Sequence, residues 1–404
     1  MMSLSHALVL TVALMNSQVK EKPGEAAVKP FRIAVDDEVL RDLKARLART
    51  RFPDQIEASG WDYGVDLQYM KDLVAHWRDK YDWRAQERKL NEIPQFLTEI
   101  DGLPIHFMHV RSKEKNALPL LMIHGWPGSV CEFHKIIGPL TDPVAHGGKA
   151  EDAFHVVCPS LPGFGFSGKP AKPGWSVSRM SEVNAKLMAR LGYTRYGAQG
   201  GDWGAGVAGW LGRHDTVHVV GVHLNFLSIA PPAKGDPWEG VTAQERQRYE
   251  KRRDELQNHR AYGAIQGTRP QTLGYALNDS PAGLAAWIVD KFHAWSDHRG
   301  NLDNSFTKDE LLTNIMIYWV TETPASAARI YFEREQYTGG RPTGKTPVGV
   351  ALFPREINVI PRKWAEAQFQ LVHWTEMPRG GHFAALEEPK LLAEDVRTFF
   401  RKLR

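Results

Sequence analysis

The sequence predicts an α/β fold with a mostly parallel sheet, a helical lid insertion and an N-terminal helical segment. Short apolar runs alternate with helical patterns between residues 96 and 225, as in a parallel sheet. From 226 to 346 the pattern is helical, and sheet-type runs return only between 347 and 404. A helical block placed between strands of one sheet predicts a lid over the strand ends.

The composition is that of an ordinary globular protein. The chain has 404 residues, of which 42% are hydrophobic and 24% charged, and its net charge is +4. This small charge, with no basic run that contains interleaved aromatics, argues against nucleic-acid binding. The charged cluster at 245–255 mixes both signs and is interpreted as a solvated helix face rather than a phosphate site.

Cysteine content and the N-terminus bear on location. Cys131 and Cys158 are too few for a disulfide framework, and no Cys/His spacing resembles a metal site. Cys158 ends an apolar run and is expected to be buried. The apolar run at 7–15 is shorter than the roughly 18 residues of a membrane span, and no Lys or Arg precedes it. We expect residues 1–29 to be an extension of a cytoplasmic protein without membrane attachment, with a secretory signal as the alternative.

Residues 30–95 are predicted to form the N-terminal helical segment. A short strand is expected at 31–35, followed by an amphipathic helix to about residue 50, with Asp36 and Asp37 as candidate N-caps. A second amphipathic helix is expected at 67–77, where apolar residues recur at helical spacing.

Residues 96–225 are predicted to form the first part of the sheet domain. Asp101-Gly102 lies between two runs of strand character and predicts a hairpin. The solid apolar run at 118–123 predicts a central strand that is buried on both faces. Further strands are expected at 154–158, 195–199 and 217–224, with a helix at 177–191.

The lid is predicted over 226–346 and the second part of the sheet domain over 347–404. Helices are expected in the lid at 243–256, 282–295 and 308–319. Strands at 348–353 and 369–374 and a helix at 389–401 are expected to complete the fold.

The turn at 200–204, Gly-Gly-Asp-Trp-Gly, indicates a nucleophile. A strand precedes it and a helix of small residues follows, which is the layout of a nucleophile elbow. The glycines at both ends leave no Cβ where strand and helix approach. The central residue is usually serine, but here it is Asp202, and a carboxylate attacks a saturated carbon to form an alkyl ester. The alternative is an ordinary glycine-rich turn with an acidic helix cap.

A base and an acid follow the elbow in the chain. Nucleophile, acid and then histidine is the order of the α/β-hydrolase fold. His382 lies in a glycine-rich loop after the last predicted strand and is the expected base. Glu356 follows a strand end, where this fold places the acid that orients the imidazole. Three other acids remain alternatives: Glu376, Asp303 and Asp309.

Other groups are expected to complete the site. In this fold the oxyanion is bound by backbone N–H groups, which here would be those of Trp126 and Trp203. His124 is interpreted as a support for its loop rather than a catalyst. An epoxide oxygen leaves as an alkoxide and needs a hydrogen-bond donor, for which tyrosine is suited. The pattern does not choose among the tyrosines of the lid block, namely Tyr249, Tyr262, Tyr275, Tyr318, Tyr331 and Tyr337.

Together these motifs resemble the microsomal-type epoxide hydrolases. The resemblance covers roughly residues 30–404 and is carried by residues 124–129, 200–204, 276–285 and 379–385, with 52–53 and 61–64 in the N-terminal segment. It implies that Asp202 forms the ester, that Glu356 is the charge-relay acid, and that His382 activates water. It also implies that Tyr331 and Tyr262 activate the epoxide, and that no cofactor or metal takes part.

The sequence therefore predicts a cofactor-independent epoxide hydrolase that converts a small apolar epoxide and water to a vicinal diol. Trp287, Trp295 and Trp319 in the lid indicate an apolar pocket. A haloalkane dehalogenase is the enzymatic alternative, although dehalogenases usually have Asn where this chain has Trp126. A hydrolase-like binding protein with little turnover is the second alternative. The sequence leaves open whether the protein forms a homodimer.

Overall fold

A nine-stranded sheet organises the described part of the chain. The computed structural model describes residues 27–232, 234–335 and 344–404. The strand order across the sheet is β1-β2-β3-β5-β4-β6-β7-β8-β9. In chain order the strands are β1 (Lys29–Phe31), β2 (Gln95–Ile100), β3 (Leu103–Val110), β4 (Leu118–Ile123), β5 (Phe154–Pro159), β6 (Tyr196–Gly200), β7 (Val219–Leu224), β8 (Pro347–Leu352) and β9 (Gln370–Glu376).

Parallel pairing covers the larger part of this sheet. The neighbours β5, β4, β6, β7, β8 and β9 all pair in parallel, whereas β1, β2 and β3 form an antiparallel extension that joins β5. As predicted, β4 is central, and its residues Leu121 and Met122 are fully buried. The mostly parallel sheet and the helices around it confirm the predicted fold class.

Helices cover the sheet and fill the block between β7 and β8. In chain order they are α1 (Asp37–Ala48), α2 (Leu67–Asp79), α3 (Trp83–Leu90), α4 (Ile137–Thr141), α5 (Val177–Arg190), α6 (Asp202–His214), α7 (Ala243–Glu255), α8 (Ala261–Thr268), α9 (Pro270–Asp279), α10 (Pro281–Trp295), α11 (Lys308–Val320), α12 (Pro324–Glu335), α13 (Arg362–Glu366), α14 (Ala384–Glu387) and α15 (Pro389–Phe400).

The N-terminal strand differs from its prediction. It was expected at 31–35, but β1 ends at Phe31, where it pairs with Gln95 of β2. Beyond that point side chains of α3 and its C-cap take the place of a partner strand. Asn91 Oδ1 accepts the N–H of Ile33 and Glu87 Oε1 accepts that of Val35, each at 2.8 Å. These bonds satisfy the backbone without a ladder.

The hairpin between β2 and β3 is present as predicted. Asp101 has φ 53° and Gly102 has φ 75°. Positive φ at both central residues defines a type I′ turn, whose twist matches that of the flanking strands.

Three lid helices were predicted and are present as α7, α10 and α11. Helices α8, α9 and α12 were not predicted as separate elements. Helix α8 contains Gly263 and Gly267, which are poor helix formers. The proline at the first position of α9 is a helix-start signal that the prediction did not use. These three helices pack on one another. Tertiary packing therefore stabilises segments whose local pattern is weak.

The interpretation of the charged cluster at 245–255 as a solvated helix face is wrong for one residue. Most of its side chains are solvated, but Arg252 is only 4% exposed. Its guanidinium donates to the backbone oxygens of Glu356 at 2.8 Å, Arg355 at 2.6 Å and Ala294 at 3.1 Å. Arg252 thus ties α7 to the loop after β8.

The N-terminal helices pack on the lid helices α10 and α11. His76 of α2 contacts Asp309 at 2.7 Å, and the hydroxyl of Tyr81 contacts that of Thr313 at 3.0 Å. Trp319 lies under the Arg46 guanidinium, which is 5.9 Å from the ring centroid. The predicted extension at 1–29 falls almost wholly outside the described residues. Within the described ranges, no helix combines the length and apolarity needed to cross a bilayer.

Candidate active site

The turn between β6 and α6 has the close approaches expected of an elbow. Asp202 has φ 47°, a left-handed conformation that is costly for a residue other than glycine. A Cβ on Gly204 would lie 1.9 Å from the backbone oxygen of Ile123, and one on Gly200 would lie 2.2 Å from that of Gly204. Glycine is therefore required at both positions for the chain to form the turn that carries Asp202.

His382 contacts two carboxylates. Its Nε2 lies 3.4 Å from Asp202 Oδ2, and its Nδ1 lies 2.6 Å from Glu356 Oε1. Glu356 follows β8 and His382 follows β9, and these neighbouring parallel strands end at the same edge of the sheet. Glu356 is fully buried, and its Oε1 also accepts the N–H of Ile357 at 2.5 Å. The sheet thus brings together an acid and a histidine that stand 26 residues apart.

The charges around His382 favour its protonated form. Burial by itself would lower the pKa of this imidazole, but the carboxylates of Glu356 and Asp202 outweigh it and raise the pKa to about 10. The protonated His382 imidazole therefore forms an ion pair with these carboxylates.

The alternative acids have other partners. Glu376 binds Arg248 through two oxygens, at 2.6 and 2.8 Å, and Asp309 contacts His76 at 2.7 Å. Asp303 pairs with Lys308 and accepts from the Tyr69 hydroxyl at 3.2 Å. Glu376 thus lies at the surface, and Asp303 and Asp309 lie at the contact between the N-terminal helices and the lid.

The loop after β4 places a donor on Asp202. The backbone N–H of Trp126 donates to Asp202 Oδ1 at 2.8 Å. His124 is buried, and its Nε2 accepts the N–H of Leu161 at 3.1 Å. Burial lowers the pKa of His124 to about 4, so the imidazole is neutral at pH 7. These contacts agree with its interpretation as a support for the loop. The second expected donor residue, Trp203, lies in the first turn of α6.

Two lid tyrosines share an aromatic box with these tryptophans. The ring of Tyr331 meets that of Trp203 edge-on at 4.6 Å, and the ring of Tyr262 stacks on Trp126 at 5.2 Å. The two tyrosine rings lie 5.8 Å apart, and both line the same cavity as Asp202. Burial raises the pKa of Tyr331 well above its ordinary value, so its phenol stays protonated.

The other tyrosines of the lid block have different surroundings. Tyr318 is buried and donates its hydroxyl proton to the backbone oxygen of Gly128 at 2.6 Å. Tyr249 packs on Trp364, and Tyr275 is 74% exposed. Tyr337 lies outside the described residues. Of the five described, Tyr262 and Tyr331 are the two that line the cavity with Asp202.

The cavity over the elbow has a volume of about 780 Å³, in the range of small-molecule sites. Trp295 lines it, whereas Trp287 donates its Nε1–H to Gln266 Oε1 at 2.9 Å and Trp319 packs towards Arg46. Of the three lid tryptophans, only Trp295 is therefore part of this pocket. Much of the remaining lining is apolar, from Val177, Trp210, Leu227, Ile229 and Phe369 among others.

Several polar residues beside the nucleophile were not identified from the sequence. Gln199 is the penultimate residue of β6, and Asn225 follows β7 directly. Polar residues at the carboxyl ends of neighbouring buried strands are a signal that could have identified both. Glu132 is a carboxylate in the mostly apolar segment after the Trp126 loop, which is a comparable signal. The buried Lys291 lies 4.8 Å from the Tyr262 ring centroid, and no local pattern indicates this contact.

Comparison with protein families matches two parts of the chain. Residues 28–133 match the family described as the epoxide hydrolase N terminus, and residues 119–256 match the alpha/beta hydrolase fold.

Known relatives extend the match along the chain. A putative epoxide hydrolase of Stigmatella aurantiaca is 49% identical over 380 residues, which covers 93% of this chain and 86% of the relative. Epoxide hydrolase 1 of Oryctolagus cuniculus is 40% identical over 404 residues and covers 93% of this chain and 89% of the relative. Among solved structures, the Aspergillus niger epoxide hydrolase superposes with a TM-score of 0.83 at 32% identity, over 94% of this chain and 97% of that one.

Proposed function

This chain belongs to the epoxide hydrolase family, and we propose that it opens its substrate through a covalent alkyl ester on Asp202. The protein is an epoxide hydrolase, which converts an epoxide and water to a vicinal diol. The observation that carries the proposed mechanism is the placement of Asp202 between His382, at 3.4 Å, and the cavity that Tyr262 and Tyr331 line.

In the first step a carboxylate oxygen of Asp202 attacks a ring carbon of the epoxide. The new C–O bond forms as the ring C–O bond breaks, and the ring oxygen takes a proton from Tyr262 or Tyr331. Tyr331 is well suited to this task because its raised pKa keeps the proton in place until an alkoxide develops. The products of this step are a hydroxyalkyl ester of Asp202 and a tyrosinate. The tyrosinate takes the proton of the His382 imidazolium, which leaves His382 neutral for the second step.

In the second step water attacks the carbonyl carbon of that ester. His382 Nε2 takes the proton from the water, and Glu356 holds the imidazolium through Nδ1. The N–H groups of Trp126 and Trp203 stabilise the oxyanion. The ester C–O bond then breaks, and the diol leaves with the proton that His382 took from the water. The other water proton passes from the Asp202 carboxyl to His382, so that the resting carboxylate and imidazolium are restored.

The reaction class is tested with three substrates. We expect the wild-type protein to release diol from an aryl epoxide and an aliphatic epoxide, and no halide from a haloalkane, because the tyrosine pair suits a leaving oxygen. Product formation by chromatography and halide release by an ion-selective electrode would measure both. Halide release without diol would point to a dehalogenase instead. Tight binding without turnover of any of the three would favour a binding protein.

The tyrosine assignment predicts a defect in the first step. Tyr331→Phe and Tyr262→Phe are each expected to slow ester formation about 10- to 100-fold, and the double variant by more, since general acid catalysis contributes about 10²–10⁴-fold. Single-turnover quenched-flow kinetics would measure ester formation. The exposed Tyr275→Phe is the matched control and should match the wild type. Unchanged ester formation in the double variant would refute the assignment.

The cavity supports a proposal for the substrate. Its volume of about 780 Å³ and its apolar lining favour a lipophilic epoxide. Such substrates are compatible with a role in detoxification. We further propose a cytoplasmic location, supported by the two buried, unpaired cysteines, Cys131 and Cys158. Cell fractionation would test the location, and light scattering would test whether the protein is a homodimer.

A further inference from the structure

A second, much smaller cavity borders the nucleophile Asp202. Its volume is about 20 Å³, and its lining includes Asp202, His382, Glu132, Gln199 and Asn225. A buried cavity needs roughly 10–15 Å³ to hold a water molecule, so this one accepts a single water and no larger ligand. The polar atoms around it meet the second requirement of a water site, which is two to four hydrogen-bonding partners.

One of the residues that line this cavity has a polar atom without a protein partner in the described part of the chain. Gln199 is 1% exposed, and its Nε2 donates to Asn225 Oδ1 at 2.7 Å. Its Oε1 is buried and has no hydrogen-bond partner within the described ranges of the chain. A buried acceptor without a partner carries a desolvation cost. A water in this cavity would offset that cost.

Glu132 is held at the cavity by its own loop. Gly128 makes room for the carboxylate, since a Cβ at that position would lie 1.3 Å from Glu132 Oε1. The backbone N–H of Ser129 also hydrogen-bonds the carboxylate. Glu132 lines the small cavity, and the surrounding protein desolvates its carboxylate. This burial raises its pKa to about 8, and Glu132 is mostly a neutral acid at pH 7.

We propose that this cavity, which we call the water chamber, holds the hydrolytic water and that Glu132 orients that water towards the Asp202 ester and His382. This inference deepens the proposed function and rests on its covalent step. No residue other than His382 and its acid partner was assigned to the water by the sequence.

The chamber adds no proton transfer of its own. The water gives one proton to His382 Nε2 while its oxygen bonds to the Asp202 carbonyl carbon, and the ester C–O bond breaks as the diol takes the proton from His382. Glu132 and Gln199 hydrogen-bond the water throughout and neither gains nor loses a proton. The chamber should therefore affect ester hydrolysis and leave ring opening, which needs no water, unaffected.

The test compares Glu132→Leu with Glu132→Gln as the isosteric control. Single-turnover kinetics with an aryl epoxide would separate the two steps, and acid-quenched protein would be weighed by mass spectrometry. We expect Glu132→Leu to form the ester within about 3-fold of the wild-type rate but to hydrolyse it about 10- to 100-fold more slowly, as for a lost positioning contact. The ester should accumulate. The glutamine variant keeps a donor and an acceptor, so its loss should be smaller.

Gly128→Ala provides an independent variant, since its methyl group would displace the Glu132 carboxylate. It should reproduce the accumulation of ester with Glu132 itself unchanged. The inference is overturned if both steps slow together in Glu132→Leu, which would indicate a structural role, or if neither step changes. Absence of any ester, even when His382 is replaced by glutamine, would refute the covalent mechanism instead. The two failures are therefore distinguishable.

Discussion

Asp202→Ala is expected to abolish diol formation, lowering kcat/KM on the order of 10⁴-fold or more, as for the loss of other catalytic nucleophiles. Without the carboxylate no ester can form, while His382, Glu356 and the lid tyrosines remain in place. Chromatographic assay of the diol, with intact-protein mass spectrometry to detect the ester, would measure the effect. Neither product nor ester should appear in the variant.

The left-handed backbone at this position calls for a second variant. Asp202 has φ 47°, which alanine tolerates less well than asparagine does. Asp202→Asn keeps the shape and the elbow but removes the negative charge, so it serves as the matched control for folding. Circular dichroism and thermal unfolding should be close to those of the wild type. Diol formation at the wild-type rate in Asp202→Ala would mean that water attacks the epoxide directly.

His382→Gln is expected to separate the two halves of the reaction. Asp202 can still attack the epoxide, but no base remains to activate water, so turnover should fall about 10³-fold or more. The alkyl ester should accumulate to one equivalent per chain. Intact-protein mass spectrometry should show a mass increase equal to one substrate molecule, located at Asp202 by peptide mapping. Loss of turnover without any adduct would contradict the assigned roles.

The same base predicts the direction of the pH dependence. The pKa of His382 in the resting protein is about 10, with the negative charges of both Glu356 and Asp202 contributing to the increase. Esterification removes the charge of Asp202, so the pKa must fall and neutral imidazole forms at lower pH. The single-turnover rate of ester hydrolysis should therefore rise with pH and level off below 10. In Glu356→Gln the rise should move to still lower pH, and the plateau rate should fall about 10²–10⁴-fold.

Local patterns account for most of the elements. The hairpin at Asp101-Gly102, the buried strand β4 and the helices with clear apolar spacing were all predicted, because turn chemistry and periodicity are encoded in adjacent residues. The elements that differ from the prediction depend on contacts with other segments of the chain. Strand β1 is shorter than predicted because Asn91 and Glu87 satisfy the backbone of residues 33 and 35. Helices α8, α9 and α12 depend on one another.

The residues of the candidate site also divide into those that the sequence predicts and those that it leaves open. An aspartate between elbow glycines and a histidine in a glycine-rich loop are visible in the sequence, since backbone constraints at Gly200 and Gly204 are local. Choosing among four candidate acids or six tyrosines requires knowing which segments meet. Arg252 looked solvated, yet it binds the backbone of residue 356, which lies 104 positions away. Nothing near residue 252 encodes that contact.

Residue types and short-range spacing are enough to predict the class of fold, the order of the candidate site residues along the chain and the carboxylate at the elbow. They do not show that Glu356 lies against His382, that Tyr262 and Tyr331 share the cavity of Asp202, or that Glu132 lines the water chamber. These distances, the burial and the electrostatic coupling arise only when strand ends and lid helices from distant parts of the chain pack together.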